Sequence, residues 1–305
     1  MNGKAVILMS AYNGEKYLRE QLNSLLNQQD TDFSIEIRDD GSSDGTWDIL
    51  CEFEKNYPNI NITKGENLGY AKSFWTLLSN ARKSDYYAFC DQDDVWDSDK
   101  LKAAINALEN ENADIPLLYF SDVRVTDEKL NVISENMVEE MPISYAHSLI
   151  KNIAPGCTYV FNDKARELLK KYDCDKYGID IHDWNVYRII SCFGKVIFDK
   201  NTYMSYRQHG NNAIGAGKKS LFAQLISAAR RLLSGKTKNI RETSARRLET
   251  VYGEMMSAEN LYITRLAAHY REDKKIKSEL LKCGAFKFGG IKYLYFRMLL
   301  FWNYF

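Results

Sequence analysis

Tyr86-Tyr87-Ala88-Phe89-Cys90-Asp91-Gln92-Asp93-Asp94-Val95-Trp96 is an apolar run that ends abruptly in three carboxylates. A short apolar run of this kind reads as a buried strand, so the acids stand where the strand leaves its sheet. Two carboxylates ~5 Å apart repel by roughly 3 kcal/mol at an effective dielectric of ~20, so Asp91, Asp93 and Asp94 call for a cation or for protonation. A divalent metal that also holds a phosphorylated ligand meets that need. Asp97, Ser98 and Asp99 read instead as caps of the next helix, because Leu101, Ala104, Ile105 and Leu108 recur at helical spacing.

The same arrangement occurs three times upstream. Ala5 to Met9 is a first strand, followed by the polar turn Ser10-Ala11-Tyr12-Asn13-Gly14 and a helix with the stripe Leu18, Leu22, Leu25 and Leu26. Phe33 to Ile37 is a second strand, running into Arg38-Asp39-Asp40-Gly41-Ser42-Ser43-Asp44-Gly45-Thr46 before a helix marked by Trp47, Leu50 and Phe53. Ile60 to Ile62 is a third, leading through Glu66-Asn67-Leu68-Gly69-Tyr70-Ala71-Lys72 to a helix with Phe74, Trp75, Leu78 and Ala81. Alternating strands and helices predict a mostly parallel sheet covered on both faces, and such sheets bind ligands outside the carboxyl ends of their strands. All four polar clusters fall there, which predicts a nucleotide-type site within residues 1–100. It is not a dinucleotide site of the usual kind, since no G-x-G-x-x-G follows the first strand, and Asn212 spoils a Walker pattern at Gly217-Lys218.

Further on the rhythm changes. Residues 117–122, 124–126 and 157–161 read as strands, Asn162 as the cap of a helix carrying Ala165, Leu168 and Leu169, and the residues after Gly178 as a helix with Ile189 and Ile190. An alternating segment from Lys195 to Tyr206 ends in Arg207-Gln208-His209-Gly210-Asn211-Asn212. Leu221, Phe222, Leu225, Ile226, Ala229, Leu232 and Leu233 form an amphipathic stripe, and helical spacing returns with Leu248, Val251, Tyr252 and Met255.

At 305 residues, 45% hydrophobic and 13% aromatic, the chain has the composition of a globular protein. Six cysteines without a C-x-x-C pair, with Cys51 and Cys90 in apolar runs, predict reduced buried thiols and set zinc and redox chemistry aside. The net charge of zero hides an asymmetry: residues 1–217 hold 23 Lys/Arg against 34 Asp/Glu, and residues 218–305 hold 18 against 7. An acidic body disfavours nucleic acid. A basic end suits an anionic partner such as a membrane surface or a diphosphate, or the acidic body itself. Residues 286–305 mix aromatics with Lys287, Lys292 and Arg297, a composition suited to a membrane interface, to a core-packing helix or to a homodimer contact. Ala5–Met9 is too short for a signal peptide and the last apolar stretch too short and too charged to span a bilayer, so a cytoplasmic protein, peripheral at the inner face of the membrane, is expected.

Taken in order, VILMSAYNGEKYL (6–18), DDGSSDGTW (39–47), ENLGYAKSF (66–74) and FCDQDDVW (89–96) resemble the motifs of the inverting glycosyltransferases of family 2, the last as their D-x-D. DQDDVW with GCTYVF (156–161), HDW (182–184) and YRQHGNN (206–212) is similar to the rhamnosyltransferase-like subgroup of surface polysaccharide synthesis. The resemblance implies an α/β GT-A fold, a Rossmann-like nucleotide-sugar-binding sheet flanked by helices, over residues 1–215, with a nucleotide half (1–100), an acceptor half (101–215) and a basic, amphipathic helical region at 216–305. It implies that Asp39 contacts the pyrimidine base, that Ala11, Tyr12 and Asn13 line the nucleoside pocket, and that Asn67, Lys72, Asp91 and Gln92 bind the donor. Asp93 and His209 would hold Mg²⁺ or Mn²⁺, with Asp94 behind them, and Asp183 would be the catalytic base. The family commonly has Glu before that Asp; here it is His182, which leaves open which of the two takes the proton. Arg38 also departs from the pattern, which usually has an apolar residue there. The implied reaction transfers a sugar, L-rhamnose from dTDP-L-rhamnose, to a lipid-linked or growing cell-surface polysaccharide. The alternatives are a UDP-hexose or UDP-N-acetylhexosamine donor, or a nucleotide-sugar-binding protein without catalysis.

Overall fold

A strand whose two faces are both apolar is stable only where both faces are covered, as in the interior of a parallel sheet. Ala5 to Met9 meets that condition and forms the buried body of β1 (Ala5–Ala11) in the computed structural model, which describes residues 3–138, 142–209, 239–287 and 291–301. Next come α1 (Leu18–Leu26), β2 (Phe33–Asp39), α2 (Thr46–Asn56), β3 (Ile60–Lys64), α3 (Tyr70–Asn80) and β4 (Tyr86–Cys90). These strands lie in the order β3-β2-β1-β4, all parallel, with Ile7 opposite both Ile35 and Ala88. The chain runs outward one way from β1 to β3 and returns to its other side at β4. The carboxyl ends of β1, β2 and β4 therefore open onto a crevice where the strand order reverses, the place such sheets use for ligands.

The remaining elements of this unit are β5 (Val95–Trp96), α4 (Lys100–Glu109), β6 (Leu117–Thr126), β7 (Val132–Ser134), β8 (Val160–Asn162), α6 (Asp163–Leu169), α7 (Cys174–Tyr177), α8 (His182–Phe193) and β9 (Lys195–Arg207), while α5 (Tyr145–Ser148), between β7 and β8 in the chain, belongs to the second unit. The sheet continues β4-β8-β6-β9-β5, with β7 on β6. Here β8 runs antiparallel to β4 and β6, β9 is parallel to β6, and β5 is antiparallel to β9. The pairing of Val95 with Ser205 brings the end of β9 to the acidic loop after β4. Ile7, Met9 and Ala11 share one core with Leu18, Leu22 and Leu25 of α1 and with Leu101, Ala104, Ile105 and Leu108 of α4. Asn162 caps α6 by accepting from the Ala165 N–H at 3.0 Å, as its position predicts.

Local expectations are corrected in four places. The strands at 117–122 and 124–126 are one strand, β6, whose register on β9 shifts around Asp122. The Asp122 carboxylate is buried there and accepts from the N–H groups of Val123, Met137 and Val138 at 2.7–2.9 Å. Residues 157–161 divide into a 3₁₀ turn, Gly156–Thr158, and β8. The acids before α4 do not cap it: Asp99 makes no side-chain capping bond, and Asp97 takes both terminal nitrogens of Arg124 at 2.8 and 2.6 Å. Cys90 is buried but Cys51 is exposed; all six cysteines are free thiols.

The second unit comprises residues 140–153, 191–193 and 218–305. Its helices among the described residues include α9 (Ile240–Tyr252), α10 (Ala258–His269), α11 (Lys274–Lys282) and α12 (Ile291–Phe301). The Tyr145 and Thr264 hydroxyls are 2.6 Å apart, and Arg241 Nε donates to the Ile150 carbonyl at 2.6 Å. Phe286 stacks on Phe296 at 5.2 Å, and both are fully buried, as are Leu299 and Leu300. The apolar side chains described near the C-terminus thus build a core within this unit, apart from Phe301, which is 78% exposed. The stripe expected between Leu221 and Leu233, and Gly210, Asn211 and Asn212, lie outside the described residues. Among those described, no helix is long and apolar enough to cross a membrane.

Candidate active site

The polar clusters at the ends of β1 and β2 are tied to each other. Asn13, in the left-handed region that asparagine tolerates (φ +47°), accepts from Ser43 N–H at 2.8 Å, and its own N–H donates to Ser42 Oγ at 3.0 Å. Ala11 is fully buried and Tyr12 is half exposed at the rim. Asp39 is fully buried: one carboxylate oxygen accepts from the Ser42 N–H and hydroxyl, and the other has no partner at all. A buried acceptor left open costs about 1–3 kcal/mol, and a ligand N–H would remove that cost.

Arg38, the departure from the family pattern, has a structural role. Its buried guanidinium pairs with Asp40 and donates to Ser73 Oγ at 3.1 Å and to the Glu66 carbonyl at 2.7 Å. Asp40 in turn accepts from the N–H groups of Leu68 and Gly69 at 2.9 and 3.0 Å. The pair thereby fixes the loop that carries Asn67 into α3. Asn67 is exposed and accepts from Gly69 N–H at 3.1 Å.

Two expected donor-binding side chains are engaged elsewhere. Gln92 clamps the β1 loop, accepting from Tyr12 N–H at 2.8 Å and donating to the Tyr12 carbonyl at 3.0 Å. A Cβ on Gly14 would lie 2.2 Å from the Gln92 side-chain oxygen, so only glycine admits that clamp. Lys72 reaches to Asp175 of α7 at 2.5 Å.

The acidic loop divides into an outer and an inner set. Outward, Asp93 Oδ2 lies 2.8 Å from His209 Nε2, which joins the residues predicted to hold a metal. Arg207 braces this pair: its N–H donates to Asp94 Oδ1 at 3.0 Å, its Nε to the Asp93 carbonyl at 2.8 Å, and its guanidinium meets Glu20 and lies 4.7 Å from the Tyr17 ring. The His209 ring rests on the same tyrosine at 4.9 Å. Inward, Asp94 is completely buried with its second oxygen unpartnered, and burial together with Asp93 and Asp91 drives its pKa far up. Asp91 stands between the two sets. Burial, then Asp93 and Asp183, push its pKa up to about 7. Donor atoms of Asp91, Asp94 and Cys157 lie within 4.8 Å of one another.

Asp183 enters from the first turn of α8. Its Oδ2 accepts from Gly156 N–H at 2.9 Å and its Oδ1 from Trp184 N–H at 2.6 Å, so a backbone N–H holds each carboxylate oxygen. A Cβ on Gly156 would come within 2.8 Å of the Asp183 Cβ and 3.0 Å of His182 Nε2. His182 is boxed in by Phe74, stacked at 4.3 Å, by Phe89 at 5.2 Å and by Tyr70 at 5.9 Å. Neither ring nitrogen has a partner, and burial lowers its pKa to about 3. His182 is therefore a neutral imidazole in an aromatic box.

The structure thus gathers Ala11, Tyr12, Asn13 and Asp39 at one end of the crevice, and Asp91, Asp93, His209 and Asp183 around the other. Arg207, Lys100 and Cys157 were not singled out from the sequence, and Arg38 stood there only as a departure from the family pattern with no role attached. A charged residue inside an apolar strand, as at Arg38 and Arg207, signals a buried ion pair, and that signal was present.

The family model for glycosyl transferase family 2 matches residues 6–171. The dTDP-rhamnosyl transferase RfbG of Shigella flexneri is 34% identical over 223 residues, covering 68% of this chain and 74% of that protein. Among solved structures, S. aureus TarS 1–349 in complex with UDP-GlcNAc is similar with a TM-score of 0.56 at 15% identity, covering 91% of this chain and 84% of that chain. The mannosyltransferase PcManGT from Pyrobaculum calidifontis, in complex with GDP-Man and Mn²⁺, is similar with a TM-score of 0.51 at 14% identity, covering 99% and 88%. With the family model spanning more than half of the sequence, the chain belongs to glycosyl transferase family 2 and is a glycosyltransferase of GT-A fold.

Proposed function

We propose that the protein is a metal-dependent inverting glycosyltransferase that moves L-rhamnose from dTDP-L-rhamnose to a lipid-linked or growing cell-surface polysaccharide. The observation that carries the reading is the convergence of Asp91, Asp93 and Asp183 from two elements on one crevice, close enough for Asp91 to feel both other charges. The rhamnose assignment is supported by the 34% identical dTDP-rhamnosyl transferase. The open oxygen of Asp39 suits the N3–H of thymine and of uracil alike, so UDP-sugars are the competing donors.

In this reading Asp183 removes the proton of the acceptor hydroxyl as that oxygen bonds to the anomeric carbon. The carbon's bond to the diphosphate breaks on the opposite face, the leaving group takes the electron pair, and the configuration inverts. The N–H groups of Gly156 and Trp184 hold the carboxylate in place for this task. His182, boxed in aromatic rings and held neutral, is a poor proton acceptor and serves as packing for its neighbour. A carboxylate oxygen and an imidazole nitrogen 2.8 Å apart suit Mn²⁺ or Mg²⁺, so Asp93 and His209 would hold the ion. Bound there, the ion would supply positive charge to the departing diphosphate. Membrane docking would fall to exposed basic residues of the C-terminal region such as Lys274 and Lys275, at the cytoplasmic face.

The test is a transfer assay over dTDP-L-rhamnose and UDP-sugars with Mn²⁺, Mg²⁺ or chelator. Turnover of the rhamnose donor that chelation abolishes supports the reading. Turnover only with a UDP-sugar replaces the donor, and no turnover by folded protein with any donor removes the enzymatic role.

A further inference from the structure

Tyr70, the first residue of α3, is 51% exposed, yet it stands at a fixed place. Its ring meets that of His182, the chain neighbour of Asp183, at 5.9 Å with 74° between the planes. The loop before it is held as well, because Asp40 accepts from the N–H groups of Leu68 and Gly69. Burial, then Asp183 and Asp180, raise the pKa of its hydroxyl, so two carboxylates lie within reach of the ring. An exposed ring fixed next to the proposed base is pre-organised for binding, since little freedom is lost when a ligand covers it.

The side of the sheet on which Tyr70 lies decides what it binds. Side chains alternate across a strand. Along β4, Ala88 and Cys90 join the core with α1 and α4, whereas Phe89 turns to the other face, onto Phe74 of α3 at 5.3 Å and His182 at 5.2 Å. Tyr70, His182 and Asp183 therefore come to the crevice from the α3 face. Asp93 and His209 come to it from the α1 face, where the His209 ring rests on Tyr17, the residue before α1. In a displacement with inversion, the acceptor oxygen and the leaving diphosphate stand on opposite sides of the anomeric carbon. The metal pair thus marks the donor's side and Tyr70 the acceptor's.

A pyranose carries hydroxyls at its rim and C–H groups on its faces, and an aromatic ring offers those C–H groups an apolar surface with a negative π cloud. An anionic sugar there would be repelled by Asp183 and Asp180, and Lys72, the cation of α3, is paired with Asp175. We propose that Tyr70 is the stacking platform of an acceptor subsite, holding the C–H face of an uncharged hexopyranose so that one of its hydroxyls meets Asp183. The choice of acceptor over donor rests on the transfer reaction proposed above; the binding of a neutral sugar by Tyr70 does not.

The experiment is saturation-transfer difference NMR on the full chain with Mg²⁺ and dTDP or UDP, without donor sugar. The probes are the methyl glycosides of rhamnose, glucose, galactose and N-acetylglucosamine, with methyl glucuronide as the charged comparison. At least one neutral glycoside is expected to receive saturation on its ring C–H protons, and the glucuronide is expected to receive none. Tyr70→Ala should weaken that binding roughly tenfold, about 1.4 kcal/mol, and Tyr70→Phe should retain it, both at the wild-type melting temperature. No neutral glycoside bound, or one bound equally well by Tyr70→Ala, overturns the proposal; glucuronide bound as tightly as the neutral sugars overturns the uncharged class. Should Tyr70→Ala not fold, Tyr70→Leu, which keeps bulk without an aromatic face, decides by the same criteria. In the transfer assay Tyr70→Ala should raise the acceptor KM and leave the donor KM unchanged, and the reverse overturns the placing on the acceptor's side. Absence of all turnover removes the enzymatic reading alone, because the NMR signal needs neither donor sugar nor transfer.

Discussion

Asp183 has both carboxylate oxygens on backbone N–H groups, which fix where they point. Asp183→Asn should keep donor affinity and lose transfer by ~10²-fold or more, as expected for removal of a general base. Kinetics with a fixed donor and varied acceptor check this, and normal turnover would reassign the role. Asp39→Asn should act at the other end of the crevice. Loss of a charge-assisted bond of about 1.5–3 kcal/mol predicts roughly a 10- to 100-fold weaker donor, with Mn²⁺ affinity unchanged. Titration calorimetry with the nucleoside diphosphate separates the two. Sequence motifs named both residues because each stands at the end of an element, where position follows from the element itself. For Lys72 and Gln92, residue type and helix face do not say which way a long polar side chain turns, and here both meet protein partners.

The crevice depends on how whole elements are stitched at their ends. Strand periodicity and helical stripes made β1 to β4 and α1 to α4 legible, since a buried face must repeat with the period of its element. The register shift of β6 and the antiparallel insertion of β8 were not legible, because they depend on partners distant in the chain. The buried Arg38–Asp40 pair is one such long-range stitch, joining the end of β2 to the start of α3. Arg38→Met should strand Asp40 in the interior and cost about 3–5 kcal/mol, read as a lower chemical-denaturation midpoint. Adding Asp40→Asn should recover part of that loss; no recovery would mean the pair is not coupled. In the second unit, His269 joins α9 and α10 by contacts to Glu249 at 2.7 Å and Glu272 at 3.0 Å, with Arg246 at 3.2 Å. Burial lowers its pKa, but the two carboxylates outweigh it and the net shift is upward. A raised pKa contributes stability that is complete below the unfolded value near 6.5 and is lost as pH climbs through the folded one. The melting-temperature gap between wild type and His269→Gln should therefore be wider at pH 6 than at pH 9. An equal gap at both would exclude this linkage.

At the scale of the whole molecule, the 23 Lys/Arg and 34 Asp/Glu of residues 1–217 stand against 18 and 7 in residues 218–305. Composition alone allowed the basic end to be a membrane surface, a core or a dimer contact. Phe286, Phe296, Leu299 and Leu300 are buried within the helical unit, so these apolar side chains are not available to insert into lipid. Of the described side chains, the exposed cations such as Lys274 and Lys275 then give membrane docking in the proposed function an electrostatic basis. Each basic residue near an anionic surface contributes ~1 kcal/mol, and the attraction fades within a Debye length of ~8 Å at physiological salt. The full chain should therefore co-sediment with vesicles containing phosphatidylglycerol but not with pure phosphatidylcholine, and 0.5 M salt should release it. Lys274→Glu/Lys275→Glu should lower binding several-fold while leaving the melting temperature and donor affinity alone. Deleting residues 286–305 should instead lower the melting temperature, because it empties a core. Salt-insensitive binding, or equal binding to neutral vesicles, would show that apolar insertion drives the contact and would count against an electrostatic dock.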